Sequence, residues 1–171
     1  EASALDARVA AVANLDGNLF GQAFAGGVRA PYLFVMSGRS FGTTELMNQD
    51  DALERYHWRT WSRDLHEQKR LIARAGSLGI RIRDSVHLSL CNVVFEPHAS
   101  RLWVLKNPID FYNAVNLYTR SFFDVRLRGS GGPDATAPIA GITQDRFKFV
   151  ERLGPDSPWP PMQGPDGAPL P

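Results

Sequence analysis

A chain of 171 residues with 43% apolar and 22% charged residues has the length of one domain, or of one domain with an appendage, and can bury a sizeable core. Its 19 basic and 18 acidic residues nearly cancel, so no global field draws it to nucleic acid or to an anionic membrane. The single cysteine excludes an internal disulfide framework and a multi-cysteine zinc site, and no apolar run approaches the roughly 20 residues that span a bilayer.

In chain order, the opening EASALDA is expected to follow a signal-peptide cleavage or an upstream membrane anchor. Leu5, Val9, Val12 and Ala13 are spaced for one face of a first short helix, which the turn-forming Asp16-Gly17-Asn18 ends. YLFVM at 32–36 reads as a buried strand, and the Gly/Ser-rich sequel as a loop in which Thr44 or Asn48 caps the next element. Residues 50–75 carry the main packing helix, with Leu53, His57, Trp61, Leu65, Ile72 and Ala75 along one stripe and Gly76 and Gly79 as stop signals. Asp51 with Arg55 and Arg63 with Glu67 stand at ion-pair spacing, and the Arg55, Arg59, Arg63 ridge reads as a solvated face.

Beyond Gly79 the apolar period changes to two, which predicts strands at 80–83, 86–95 and 101–105, the last two as a hairpin. A second amphipathic helix is predicted from Pro108, with Asn107 as its cap and Phe111, Ala114, Val115, Tyr118 and Phe122 at helical spacing. A strand at 123–128, a linker GSGGPDATAP, and a last strand at 146–153 with Phe147, Phe149 and Glu151 on one side complete the pattern.

The stretch SVHLSLCNVVFEPHAS at 85–100 concentrates two histidines, the cysteine and three serines. As a strand it alternates His87, Ser89, Cys91, Val93 and Phe95 with Val86, Leu88, Leu90, Asn92 and Val94, both faces largely apolar, which describes a strand buried on both sides. His87 and Cys91 would then lie roughly 13 Å apart, too far to share a metal ion, so no metal and no cofactor is expected. His87 and Ser89 are the catalytic candidates, a base and a hydroxyl on one face. HLSL resembles half of the His-x-Ser/Thr signature of two-histidine phosphoesterases, which needs two copies on facing strands; the other His-x-Ser here, His98-Ala-Ser100, falls at the adjacent turn. NLDGNLFG at 14–21 resembles the motif of aspartate-bearing phosphatases, but those need a second aspartate where Asn14 stands and an apolar strand leading in, so the stretch is expected to be a turn. RGSGG at 128–132 lacks the lysine and hydroxyl of a phosphate loop and reads as linker.

Aromatic residues at the edges of the pattern suit a docking surface: Trp58, Phe20 and Phe24 amid glycines, Phe41 and, in the proline-rich tail, Trp159 with Met162 and Leu170. The expectation is an α+β domain over 1–153, with a mixed or antiparallel sheet of about four to six strands covered on one side by two amphipathic helices, and an extended Pro-rich tail over 154–171. For function it is a non-catalytic subunit or interaction domain of a bacterial, extracytoplasmic (periplasmic) assembly, binding a protein partner or itself and no nucleic acid. The alternatives are a small hydrolase or phosphoesterase using His87 and Ser89, and a sensory domain that binds a small ligand.

Overall fold

The structure, a computed structural model, describes residues 2–38, 41–90, 108–128 and 147–160. Its centre is a strand with no polar side chain beyond one tyrosine hydroxyl, β2 (Tyr32–Met36), all five residues of which are buried. Such a run needs cover on both faces, and it has it. Leu33 and Val35 point into one core with Leu78, Ile80 and Ile82, while Tyr32, Phe34 and Met36 point into a second core on the opposite face. The alternation follows from the two-residue period of a strand.

Four strands form one mixed sheet in the order β1 (Val12–Leu15), β2, β3 (Leu78–Ile82), β4 (Val150–Leu153). β1 and β3 run parallel to β2, and β4 runs antiparallel to β3 at the edge, with Arg81 opposite Glu151. Helices α1 (Ala2–Leu5), α2 (Gly21–Gly26), α3 (Thr44–Met47), α4 (Ala52–Ile72) and α5 (Pro108–Arg128) complete the described elements, with a 3-10 turn at His87–Leu90. This is an α+β fold with a four-stranded mixed sheet, as expected. The two long helices do not share a face, however. Trp61, Leu65, Leu71 and Ile72 of α4 pack with Tyr32, Phe34 and Met36, whereas Phe111, Ala114, Tyr118 and Phe122 of α5 pack on the other side of the sheet.

Asp51 caps α4: its Oδ1 accepts the Leu53 and Glu54 amides at 2.8 and 2.9 Å, which satisfies two of the donors a helix start leaves unpaired. Arg55 donates instead to the Gln49 and Asp50 carbonyls, Glu67 pairs with Arg70 at 2.8 Å, and the Arg63 guanidinium lies over the Phe24 ring. Thr43, rather than Thr44 or Asn48, caps α3. Leu53, predicted on the buried stripe, is 75% exposed, and His57 and Ala75 are exposed too. A 21-residue helix is ~31 Å long and a five-residue strand ~17 Å, so the first turns of α4 overhang the sheet. Where α4 does cross β3 the approach is close. A Cβ on Gly79 would stand 2.6 Å from Ile72 Cδ1 and 3.0 Å from Leu153 Cβ.

Three further expectations change. The predicted first helix stops after one turn, and Val12–Leu15 becomes a strand, because an open edge of β2 offers paired hydrogen bonds and apolar cover that a lone alanine-rich helix lacks. Residues 123–128 continue α5: Phe122 is buried, and Asp124 pairs with Arg120 and Arg128 one turn to either side. The segment read as a doubly buried strand opens instead with the 3-10 turn, and its remainder from Cys91, the hairpin, Asn107 and the linker lie outside the described residues. At β4, Phe147 and Phe149 pack against the α5 core while Glu151 faces Arg81 and Arg83.

Of the aromatic residues expected at a docking surface, Phe41, Trp58 and Trp159 pack on this chain. Phe41 is buried, Trp58 and Trp159 join its core, and the Phe41 and Trp159 rings meet edge to face at 5.4 Å. Trp159 Nε1 donates to the Gly154 carbonyl at 2.7 Å, and His66 Nε2 donates to the Pro160 carbonyl at 2.7 Å. The first part of the tail therefore straps the α4 face. Met162 and Leu170 lie outside the described residues.

Candidate functional site

Three parallel strands present their carboxyl ends together, and in open sheets containing parallel strands ligands bind beyond those ends. β1 ends in Asp16, β2 in Ser37-Gly38, and β3 in Arg83-Asp84-Ser85. The loops are held tightly. The Gly38 amide donates to the Ser85 carbonyl and hydroxyl, each at 3.0 Å, and a Cβ on Gly38 would lie 2.8 Å from that carbonyl oxygen. Asp84 takes a left-handed backbone, φ 56°, which reverses the chain after β3. The following 3-10 turn then carries His87 to Asp16 at the end of β1.

Asp16 is the anchor of the site. Its amide still bonds the Val35 carbonyl at 2.8 Å, but its φ of 58° turns the chain out of the sheet, a conformation that glycine, asparagine and aspartate tolerate best. The side chain is fully enclosed and engaged at both oxygens: Oδ1 accepts the Ser37 amide at 2.8 Å, and Oδ2 lies 2.9 Å from His87 Nδ1. A carboxylate only accepts, so Nδ1 carries the proton in this pair. The His87 side chain is 57% exposed. Among the described residues its Nε2 has no hydrogen-bond partner, and in the neutral ring that nitrogen is an acceptor. The Ser37 hydroxyl beside this pair is enclosed without a hydrogen-bond partner among the described residues.

A further set of polar side chains fixes the loop after Asp16. Asn14 accepts the Gly17 amide and donates to the Gly17 carbonyl and to the Tyr32 hydroxyl, at 2.8, 2.7 and 2.8 Å. Tyr32 donates to Gln68 Oε1 at 2.5 Å, and Gln68 Nε2 donates to the Gly17 carbonyl and to Asp64, both at 3.2 Å. Asp64 accepts the Leu19 amide at 2.7 Å. Burial pushes the Asp64 carboxyl above the usual aspartate range and the Tyr32 phenol well above its own, because the charged form of each loses hydration that these bonds only partly replace. One turn of α4, from Asp64 to Gln68, thus holds the Leu19 amide and the Gly17 carbonyl.

Asp16, Gly17, Asn18, Phe20 and His87 line an open depression of about 260 Å³. The predicted catalytic residues fare differently. His87 stands at this depression, while Ser89 is buried and its Oγ accepts the Val86 amide at 3.0 Å, closing the 3-10 turn. Two residues on, such a turn has rotated by about 240°, so the pair does not share a face. The partner of His87 is Asp16, 71 positions away, which the sequence presented as a turn. Asp16 follows a strand, but one that is part-buried to exposed and includes Asn14, the residue that stands where the phosphatase motif has its second aspartate, and Asn14 is occupied in binding Gly17. Among the described residues no group of three ligating side chains is placed to hold a metal ion, and no helix is long and apolar enough to cross a membrane. Comparison with protein-family models, with characterised proteins and with solved structures finds no match to this chain.

Proposed function

We propose that the carboxyl edge of the parallel strands is a small-molecule site in which His87, oriented by Asp16, takes a proton from a bound hydroxyl or from water. The observation that carries the reading is an enclosed carboxylate, on a left-handed backbone, directed at one exposed imidazole. The Ser37 amide takes one of the two enclosed oxygens, and the other is directed at a ring that is itself more than half exposed. Bonding to Asp16 fixes the tautomer and the ring plane, leaves the Nε2 lone pair for the ligand, and stabilises the imidazolium formed when the proton arrives. This makes a hydrolase or a small-ligand domain the leading reading, with Asp16 rather than Ser89 as the partner of His87.

The test has two readouts on the full chain. Long-range ¹H–¹⁵N correlation is expected to show neutral His87 as the Nδ1–H tautomer. Hydrolysis of 4-nitrophenyl acetate, an uncharged ester, is expected to fall by about 10²-fold in His87→Gln, the lower end of a general base's contribution. A rate within twofold of the parent in a folded His87→Gln protein overturns the reading. The interaction-domain alternative draws support from Leu53 and Tyr56, exposed at i,i+3 spacing on the overhanging turns of α4. Light scattering at several concentrations tests it, and a Leu53→Lys change should abolish any association seen.

A further inference from the structure

Phe20 has no evident place in the fold. It occupies the position before α2 where a serine, threonine or aspartate side chain would cap the helix, makes no capping bond, and is 72% exposed. Its neighbours are accounted for: Leu19 through its amide to Asp64, Ala23 through burial in the α4-side core. Phe20 borders the same depression as His87, and the intervening loop is the one that Asn14, Gln68 and Asp64 hold in place. A large exposed apolar ring on a fixed loop beside a directed hydrogen-bond acceptor is a two-point recognition element, with a face for a ring and an acceptor for its donor.

We propose that the ligand is an uncharged aromatic ring bearing an O–H or N–H donor, its face against Phe20 and its donor on His87 Nε2. This inference rests on the functional reading above and names the ligand class for that site. Charge favours the neutral class: the ionisable side chains lining the depression among the described residues are Asp16 and His87, with no lysine or arginine there to receive an anion. Size permits it, since a cavity of about 150 Å³ suffices for benzene and the depression offers about 260 Å³. The donor requirement follows from the Nδ1–H tautomer, which leaves Nε2 as an acceptor.

The experiment uses the full chain labelled at histidine, with phenol as probe and the His87 ring resonances as readout. Phenol is expected to move them saturably, with affinity on the order of millimolar. Toluene, which has the ring without the donor, and cyclohexanol, which has the donor without the aromatic face, should bind at least fivefold more weakly. Phe20→Ala and Phe20→Leu should each weaken phenol at least fivefold while leaving the His87 tautomer unchanged. Because Phe20 is exposed, neither variant should unfold the domain. Equal binding of cyclohexanol and phenol, no effect of either Phe20 variant, or a response to inorganic phosphate in place of phenol overturns the ligand class while leaving the Asp16–His87 pair standing. An Nε2–H tautomer in the unliganded protein overturns the pair itself.

Discussion

Replacing Asp16 separates two contributions that the structure combines at one residue, the acceptor for a buried amide and a left-handed backbone. Asp16→Ala removes the acceptor of the Ser37 amide, and Ser37 is fully buried, so an unpaired donor should cost about 1–3 kcal/mol. Alanine must also hold φ near 58°, which adds roughly 1 kcal/mol for a residue with a Cβ and no local side-chain bond to compensate. The lost His87 contact adds little, because that ring is more than half exposed and water can replace the carboxylate. The sum is about 2–4 kcal/mol, a large share of the roughly 5–15 kcal/mol by which domains are ordinarily stable. Asp16→Gly loses the same acceptor but relieves the backbone, so it should be about 1 kcal/mol more stable than Asp16→Ala. Asp16→Asn keeps an oxygen for Ser37 and tolerates the left-handed region, so it should lie within about 1 kcal/mol of the parent. Its amide can donate to His87 Nδ1, which would move the ring proton to Nε2 and abolish the acceptor. Urea unfolding followed by tryptophan fluorescence measures the order, and at a slope of about 2 kcal/mol per molar, the middle of the usual range, the alanine midpoint should fall by ~1–2 M. Equal stability of the alanine and glycine variants, both within roughly 0.5 kcal/mol of the parent, the spread of ordinary surface substitutions, would refute both the buried-amide and the backbone arguments.

Three other outcomes are expected. Gly79→Ala forces a methyl group between Ile72 and Leu153 and should destabilise by about 1–3 kcal/mol despite the entropic gain of alanine, whereas a stabilised variant in the same urea assay would mean that α4 can withdraw from the sheet at no cost. Asp64, whose carboxyl is raised by burial, keeps its proton in the folded protein to higher pH than in the unfolded chain. Its favourable contribution is therefore complete below about pH 4 and is lost as pH rises through the folded value, so unfolding free energies measured from about pH 4 to 8 should fall relative to Asp64→Asn, and a constant difference would show that no such shift exists. Trp159→Ala should cost about 2 kcal/mol, less than a fully buried tryptophan, and should lower the calorimetric melting temperature; an unchanged melting temperature would return Trp159 to the role of a partner-facing residue.

How much of this was legible in the sequence depended on whether the decisive interaction was local. Tyr32–Met36, the 52–72 helix and the Phe111, Ala114, Tyr118, Phe122 face of α5 could be read because an unbroken apolar run and a 3.6-residue stripe report burial directly. The α+β class followed from setting the two helical stripes beside the run of period-two segments read as strands after Gly79. Elements decided by neighbours could not be read. Val12–Leu15 is a strand because β2 has an edge there, and residues 123–128 are helical because α5 continues over the sheet. His87–Leu90 follows the point where Gly38 and Ser85 lock two strand ends together and is closed as a turn by bonds between Val86 and Ser89. The site shows the same division. His87 drew attention as a histidine among serines, but its partner was chosen by the parallel order of the strands, which sets the end of β1 beside the turn after β3. Asn14, Tyr32 and the Asp64–Gln68 turn come from three separate segments of the chain, each ordinary in its local setting. Only the packing of α4 against the sheet joins them into the hydrogen-bonded frame that holds the Asp16 loop, because a hydrogen bond depends on distances in space that no sequence period encodes.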